Sequence, residues 1–592
     1  MHEDELTGKA YDSVLMKRLL SYAKPYKKLM FLGISLTLIA SFLQLAGPLL
    51  TQRAIDDHIS VNDMQGLYSI LIIYVIVFVF VFITQYLQIY TTQFFGQKLM
   101  YDLRSKVFSH VQSLSLRFFD KNPVGRLMTR ITSDIESLNQ MFTQGIVTIF
   151  GDIFLLIGII GTLLYLNFRL ALWTFSVIPI LFLITFVFRS KVREGFRNIR
   201  KWLARINSYM QENITGMSII QIFNRTKRNY DQFAEINKKH TESHVKTVFY
   251  YALFYPAIEL VSAVAIALVV WRGGIYKLED LTSFGALVAF IQLAQMFFRP
   301  ISDLSEKYNI LQQAMASSER VFKLLDTEPD IKNPNNPESV ENIRGNIKFD
   351  KVFFAYDREN YVLKDINFQV KPGEKVAIVG HTGAGKTSLI NILGRYYDIQ
   401  SGEILIDDIP LLKWDIDAIR KQMAIVLQDV FLFSGTITDN IRLGDTSISM
   451  DQVKWAAEQV NAHHFINKLP NKFDTLVKER GVSLSLGQKQ LISFARALVI
   501  NPRILILDEA TSSVDTETEI YIQSALNTLM KGRTSIIIAH RLSTIQNADK
   551  IIVMHKTRIR EMGKHQDLIE QKGLYYQLYQ LQYKDQELTI IK

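Results

Sequence analysis

The hydrophobic pattern changes character part-way along the chain. Before about residue 300 apolar residues gather in long runs, and after about residue 345 short apolar stretches alternate with Gly, Asp and polar positions. Six early runs, at 29–50, 68–90, 141–166, 170–188, 248–271 and 281–298, are each about long enough to cross ~30 Å of hydrocarbon as a helix. The mixed-charge segment 1–28 lacks the short apolar core of a leader, so the first run is predicted to be a retained span. The fold class expected is a multi-domain membrane protein, a six-helix transmembrane domain followed by an α/β domain.

Charge sets the expected orientation. The segment 91–140 carries Lys98, Arg104, Lys106, Arg117, Lys121, Arg126 and Arg130, and 189–247 carries thirteen Lys or Arg. The loop 51–67 has only Arg53 against Asp56, Asp57 and Asp63. Basic loops stay inside, which predicts that both ends of the chain are cytoplasmic. Both basic loops are long and helix-patterned with few breakers, so their flanking spans are expected to continue as helices well beyond the bilayer. The loop at 167–169, Asn-Phe-Arg, is the shortest outer connection. Two acids fall inside apolar runs, Asp152 in FGDIFLL and Glu259 in YPAIELVSAV. An ionisable group there is costly and faces a bundle interior or a wet cavity. Either it bonds a neighbouring helix, or it lines a cavity that attracts a cationic substrate.

Residues 327–345, TEPDIKNPNNPESVENIRG, hold three prolines and no apolar period, which marks a linker. The bounds expected are a cytoplasmic segment 1–28, a membrane domain 29–322, a linker 323–345 and a nucleotide-binding domain 346–592. In the last of these, KVAIVGHTGAGKTSLINIL is a short apolar strand, a glycine-rich turn and an amphipathic helix, and it fits G-x-x-x-x-G-K-T. Gly380, His381, Thr382, Gly383, Ala384, Gly385, Lys386, Thr387 and Ser388 thus form a candidate phosphate cradle. Backbone N–H groups and a helix N-terminus surround the anion, Lys386 reaches the outer phosphates, and the Thr387 hydroxyl is a candidate ligand of Mg²⁺. RILILDEATSSVD is a buried strand with Asp508 and Glu509 at its carboxyl end, where ligands of open α/β sheets collect. Asp508 suits Mg²⁺ binding through water, and Glu509 suits the orientation or deprotonation of an attacking water. TSIIIAH ends on His540, a candidate holder of the terminal phosphate.

Composition adds two exclusions. A net charge of +10 is compatible with nucleic-acid binding, but the Lys and Arg sit on the loops that fix membrane topology, so no nucleic-acid partner is expected. There is no cysteine, which removes disulfides, thiolate catalysis and Cys-based zinc sites.

With these motifs together the chain resembles an ATP-binding cassette exporter half-transporter, a six-helix membrane domain fused ahead of one nucleotide-binding domain. The likeness extends over nearly the whole length. It implies ATP and Mg²⁺ as cofactors, a multi-pass position in a bacterial cytoplasmic membrane, and a second half-transporter as partner. It also implies that Tyr356 in FFAY stacks on adenine, that Gln428 in IVLQDVFLF touches Mg²⁺ and senses the membrane domain, and that Asp515 in SSVD belongs to the site. The segments 118–134 and 212–223 resemble the two intracellular loops whose short helices press on the nucleotide domains.

The family signature is L-S-G-G-Q, and this chain has Leu484, Ser485, Leu486, Gly487 and Gln488. Cassettes of this family are implied to pair head to tail, each signature closing over ATP held by the other. A leucine adds a side chain where glycine leaves room for an anion. Lys478, just upstream, stands where the family often has glycine. Beside the full hydrolytic set this resembles the competent subunit of a bacterial heterodimeric multidrug exporter, whose partner carries an intact signature and an altered Walker B. An ordinary homodimer is the other outcome, since Ser485 and Gly487 remain. The activity implied is export of amphipathic drugs or other hydrophobic compounds by alternating access. A lipid flippase shares the architecture, and an ATP-gated channel or regulator and an importer fit the motifs less well.

Overall fold

The computed structural model describes residues 12–339, 342–357, 359–508, 516–539 and 542–582, and it divides into two compact units. The first comprises residues 1–112 and 124–327, and the second residues 113–123 and 328–592.

The first unit is helical throughout. Its helices are α1 (Ser13–Ala23), α2 (Lys27–Arg53), α3 (Met64–Ser113, whose last residue falls in the second unit), α5 (Val124–Ile131), α6 (Ser133–Gln140), α7 (Val147–Leu166), α8 (Phe168–Phe175), α9 (Ile178–Thr215), α10 (Met217–Ile222), α11 (Thr226–Leu278) and α12 (Phe284–Leu325); α4 (Leu116–Lys121) lies in the second unit. Among the described residues five helical stretches are long and apolar enough to cross a membrane, and a shorter apolar stretch, Phe284–Phe298, opens α12. The two basic loops are indeed helical extensions. α3 runs 50 residues and α11 runs 53, about twice what a bilayer needs.

The run expected at 170–188 is not one helix. It divides into α8 and α9 around Ser176 and Val177, because Pro179 has no N–H to continue the ladder and sits instead in the first turn of α9. The 167–169 connection is tight because the Asn167 side chain caps α8, accepting from the Leu170 N–H at 3.0 Å. In the segment that follows α2, Asp56 receives the Gly285 N–H at 2.7 Å and the Ser283 hydroxyl, tying that segment to the start of α12. The unit's core gathers Leu45, Ile159, Leu163, Val261, Ala265, Phe290 and Leu293. The middle of α3 instead leaves Phe78, Phe80 and Phe82 exposed, as a lipid-facing helix should.

The second unit is a two-sheet α/β body. An antiparallel sheet runs β2-β1-β4-β5, from β1 (Ile347–Ala355), β2 (Tyr361–Val370), β4 (Ser401–Ile406) and β5 (Ile409–Pro410). The main sheet runs β12-β11-β3-β10-β9-β6, from β3 (Lys375–Val379), β6 (Met423–Val426), β9 (Ile504–Asp508), β10 (Thr534–Ile538), β11 (Lys550–His555) and β12 (Arg558–Gly563), with β7 (Gly435–Thr436) and β8 (Leu476–Val477) as a separate pair. All main-sheet pairings are parallel except β11 with β12. Its central strands are apolar without alternation because both faces are covered. Period two then splits each strand between two cores. Val376, Ile378, Ile504, Ile506, Ile536 and Ile538 face the antiparallel sheet, and Ala377, Val379, Leu505, Leu507 and Ile537 face the helical side.

Candidate active site

Parallel register brings the carboxyl ends of three strands together. Ile378 of β3 pairs with Ile538 of β10, and Ile538 pairs with Asp508 of β9, so the phosphate loop begins two residues beyond the row that ends on Asp508. On the other side Val426 of β6 pairs with Leu507, which sets Gln428 beside the same edge. Gln428 is exposed, Thr387 is exposed, and Asp508 is half-buried. Glu509, Asp515 and His540 lie outside the described residues.

The loop from β3 into α13 (Lys386–Leu393) is shaped by its glycines. Gly383 and Gly385 have φ of 81° and 103°, the left-handed region that other residues avoid. A Cβ on Gly385 would also lie 2.8 Å from the Val362 carbonyl oxygen and 2.7 Å from Leu363. His381, Thr382 and Gly383 stand exposed at the tip, while Ala384, Gly385, Lys386 and Ser388 are buried at the base. The Lys386 ammonium folds over this loop, donating to the carbonyls of Gly380 at 2.7 Å and His381 at 3.1 Å. Burial pulls its pKa below the ordinary lysine value, and the Asp508 carboxylate opposes that fall. A cation thus stands at the mouth of a turn of backbone donors, which suits a polyphosphate.

Tyr356 follows β1 directly. Its hydroxyl donates to Ser388 Oγ at 3.1 Å and accepts from Asn391 Nδ2 at 3.2 Å, which links it to the helix that carries the phosphate loop. Asn391 was not marked by the motif; its position three residues after Ser388 on one helix face is the signal that identifies it.

The signature turn starts the helix Leu486–Val499 with Ser485 as its N-cap. The Gly487 backbone is buried, while Ser485 and Leu486 are exposed. Lys478 has φ of −72° and ψ of 165°, an extended conformation open to any residue, so the local backbone there does not require glycine. Among the described residues no hydrogen bond joins the signature turn to the chain's own phosphate loop.

The two membrane acids are in different settings. Asp152 on α7 is paired with Lys307 on α12, their side chains 18% and 14% exposed. Glu259 on α11 is exposed and lies on the helix face away from Val261, Ala265 and Val269, which are buried within the chain.

Comparison with known proteins agrees with this architecture. The ABC transporter transmembrane region family matches residues 30–301, and the ABC transporter family matches residues 363–512. An uncharacterized ABC transporter ATP-binding protein of Bacillus subtilis (strain 168), YknV, is 40% identical over 98% of this chain and 96% of its own length. The ATP-dependent lipid A-core flippase of Syntrophus aciditrophicus (strain SB) is 36% identical over 97% of this chain and 95% of its own. A probable multidrug resistance ABC transporter ATP-binding/permease protein of B. subtilis, YheH, is 38% identical over 88% of this chain and 77% of its own. The chain belongs to the ATP-binding cassette transporter family. It is a half-transporter of the exporter type, a multi-pass membrane protein with a fused ATPase that couples ATP hydrolysis to transport.

Proposed function

We propose that this half-transporter exports amphipathic or other hydrophobic compounds across a bacterial cytoplasmic membrane, both of its ends being cytoplasmic, as one subunit of a heterodimer with a single competent ATP site. The observation that carries the proposal is the coexistence, on one chain, of Lys386, Thr387, Asp508, Glu509 and His540 with a leucine at the third signature position. The partner then supplies an intact signature to this chain's ATP, and its own counterpart of Glu509 or of His540 is altered. Relatives named for multidrug export support the substrate class.

Each group has an assigned part. Tyr356 carries adenine, and the 380–388 loop with Lys386 holds the phosphates. The oxygen donors of Thr387, Gln428 and Asp508 are the hard ligands that Mg²⁺ takes alongside water and phosphate, and the site calls for few carboxylates. Bound Mg²⁺ would neutralise phosphate charge; Glu509 orients the attacking water and His540 the terminal phosphate. Ser485, Leu486, Gly487, Gln488 and Asp515 face the partner's nucleotide. ATP shifts the transporter only through its greater affinity for the closed cassette pair. Of the two membrane acids, Asp152 is engaged by Lys307, so any preference for cationic substrates falls to Glu259.

Co-expression with a candidate partner half-transporter, reconstitution and dye efflux test the proposal. Glu509→Gln abolishes efflux, and the equivalent change in the partner is nearly silent. An intact glutamate and histidine in the partner, or substrate-stimulated ATPase from this chain purified alone, would overturn the asymmetric pair. Lipid flipping is the second possibility, favoured by the flippase relative; translocation of labelled lipid without dye export would establish it.

A further inference from the structure

The segment 113–123 lies between membrane helices in the sequence, yet it belongs to the compact unit formed by residues 328–592. Its helix α4 meets that unit at the loop of Tyr356. The Arg117 guanidinium donates through Nη2 to the Tyr356 carbonyl at 2.8 Å. One turn on, Asp120 accepts the hydroxyl of Tyr397, whose ring stands edge-on to Tyr356 with centroids 5.0 Å apart. Residues three apart on a helix share a face, so α4 grips the Tyr356 backbone and the neighbouring ring at once.

Among the described residues, other contacts hold both flanks of Tyr356 and its ring, but not its carbonyl. Gln400 fixes the preceding residue, donating to the Ala355 carbonyl at 2.9 Å and accepting its N–H at 2.7 Å. Asp357 closes the following turn by accepting the Asn360 N–H at 2.9 Å. Between them the Tyr356 carbonyl has Arg117 as its partner among the described residues, and Arg117 Nε is itself buried without a hydrogen bond. Tyr397 is 6% exposed, and burial followed by the Asp120 hydrogen bond raises its pKa, so it remains a phenol and a donor.

We propose that α4 sets the pose of the adenine platform: Arg117 is a positioning residue for Tyr356, with Asp120 and Tyr397 as its buttress, and together they set affinity for the base of the nucleotide. The inference rests on Tyr356 being that platform. Tyr356 is then held by α4 at its backbone carbonyl and by Ser388 and Asn391 of the phosphate-loop helix at its hydroxyl, so one tyrosine links the base platform to the phosphate loop.

The test uses the full-length transporter in lipid nanodiscs, with its partner half present. Arg117→Ala is expected to raise KM for ATP about tenfold, the scale of one lost charge-assisted hydrogen bond, with kcat changed less than about twofold. Inhibition by inorganic tripolyphosphate, which engages the phosphate loop alone, stays unchanged, and Arg117→Lys restores most of the ATP affinity. Tyr356→Ala separates the two ideas. If it leaves KM for ATP unaltered, Tyr356 is no platform; if it raises KM while Arg117→Ala and Asp120→Ala do not, the positioning role is overturned. Equal weakening of ATP and tripolyphosphate by Arg117→Ala, or a loss confined to kcat, also overturns it. Should Arg117→Ala fail to fold, Tyr397→Phe carries the same readouts with a smaller expected rise.

Discussion

Ser485 and Gln488 exchange hydrogen bonds across the first turn of their helix, the Gln488 N–H donating to Ser485 Oγ at 3.3 Å and the Ser485 N–H to Gln488 Oε1 at 3.1 Å. The reciprocal cap closes with Leu486 inside it and leaves that side chain 43% exposed. The leucine therefore does not distort the turn. Its contribution to the fold of the chain is confined to helix propensity at the first turn.

Leu486→Gly is accordingly expected to cost the cassette no more than about 1 kcal/mol, the helix-propensity difference. In the asymmetric pair it raises nucleotide trapping at the partner's site and leaves turnover at the Glu509 site within about twofold, far below the tenfold that ~1.4 kcal/mol would produce. Photolabelling each subunit with azido-ATP separates the sites. A rise in turnover at the Glu509 site itself would mean that the signature serves an identical copy. Ser485→Ala removes the cap instead, and costs about 1 kcal/mol of stability in a melt.

Lys386 gives a pH prediction. Burial depresses its pKa and Asp508 props it up, so Asp508→Asn lowers it further. A lysine with a lower pKa loses its proton at a lower pH. Binding of fluorescent ATP without Mg²⁺ should therefore fail at lower alkaline pH in Asp508→Asn than in the native chain. An unmoved or raised limit would show that Asp508 does not act on Lys386.

Gly385→Ala tests the loop geometry. The position has φ of 103°, and an added Cβ meets the Val362 carbonyl, a backbone atom that cannot swing away. Strain of about 1–3 kcal/mol is expected, with loss of ATP binding exceeding the loss of melting temperature. Gly383→Ala, equally left-handed at φ of 81° but with nothing within 4 Å, should be milder. Equal effects would refute the role of crowding.

Much of this was legible in the residues. Apolar run length marked long helical stretches, and the G-x-x-x-x-G-K-T pattern marked a glycine-rich turn between strand and helix, because both depend on local chemistry. The break of α8 from α9 was also written locally, in Pro179, but a continuous apolar run masked it. Contacts between residues distant in sequence were not legible. Nothing near Asp152 marks Lys307 as its partner 155 positions later, and nothing near Arg117 marks the Tyr356 carbonyl. The signature leucine was visible at once, whereas its harmlessness to the turn required the cap geometry.

The Lys307–Asp152 pair predicts a division of labour between the membrane acids. Both side chains are mostly withdrawn from solvent, so deleting the Asp152 charge leaves the Lys307 ammonium in a poorly solvating place. Asp152→Asn should cost about 3 kcal/mol, and the double change to Asp152→Asn with Lys307→Met should recover most of it, since removing both charges also removes their desolvation. Melting in nanodiscs reads this directly. Glu259 is exposed on its helix, so Glu259→Gln should leave melting unchanged while lowering export of a cationic dye relative to its neutral analogue. The relationship would be reversed if Asp152 lined the substrate path: the double variant would then fold normally and still lose cation preference, while Glu259→Gln kept it.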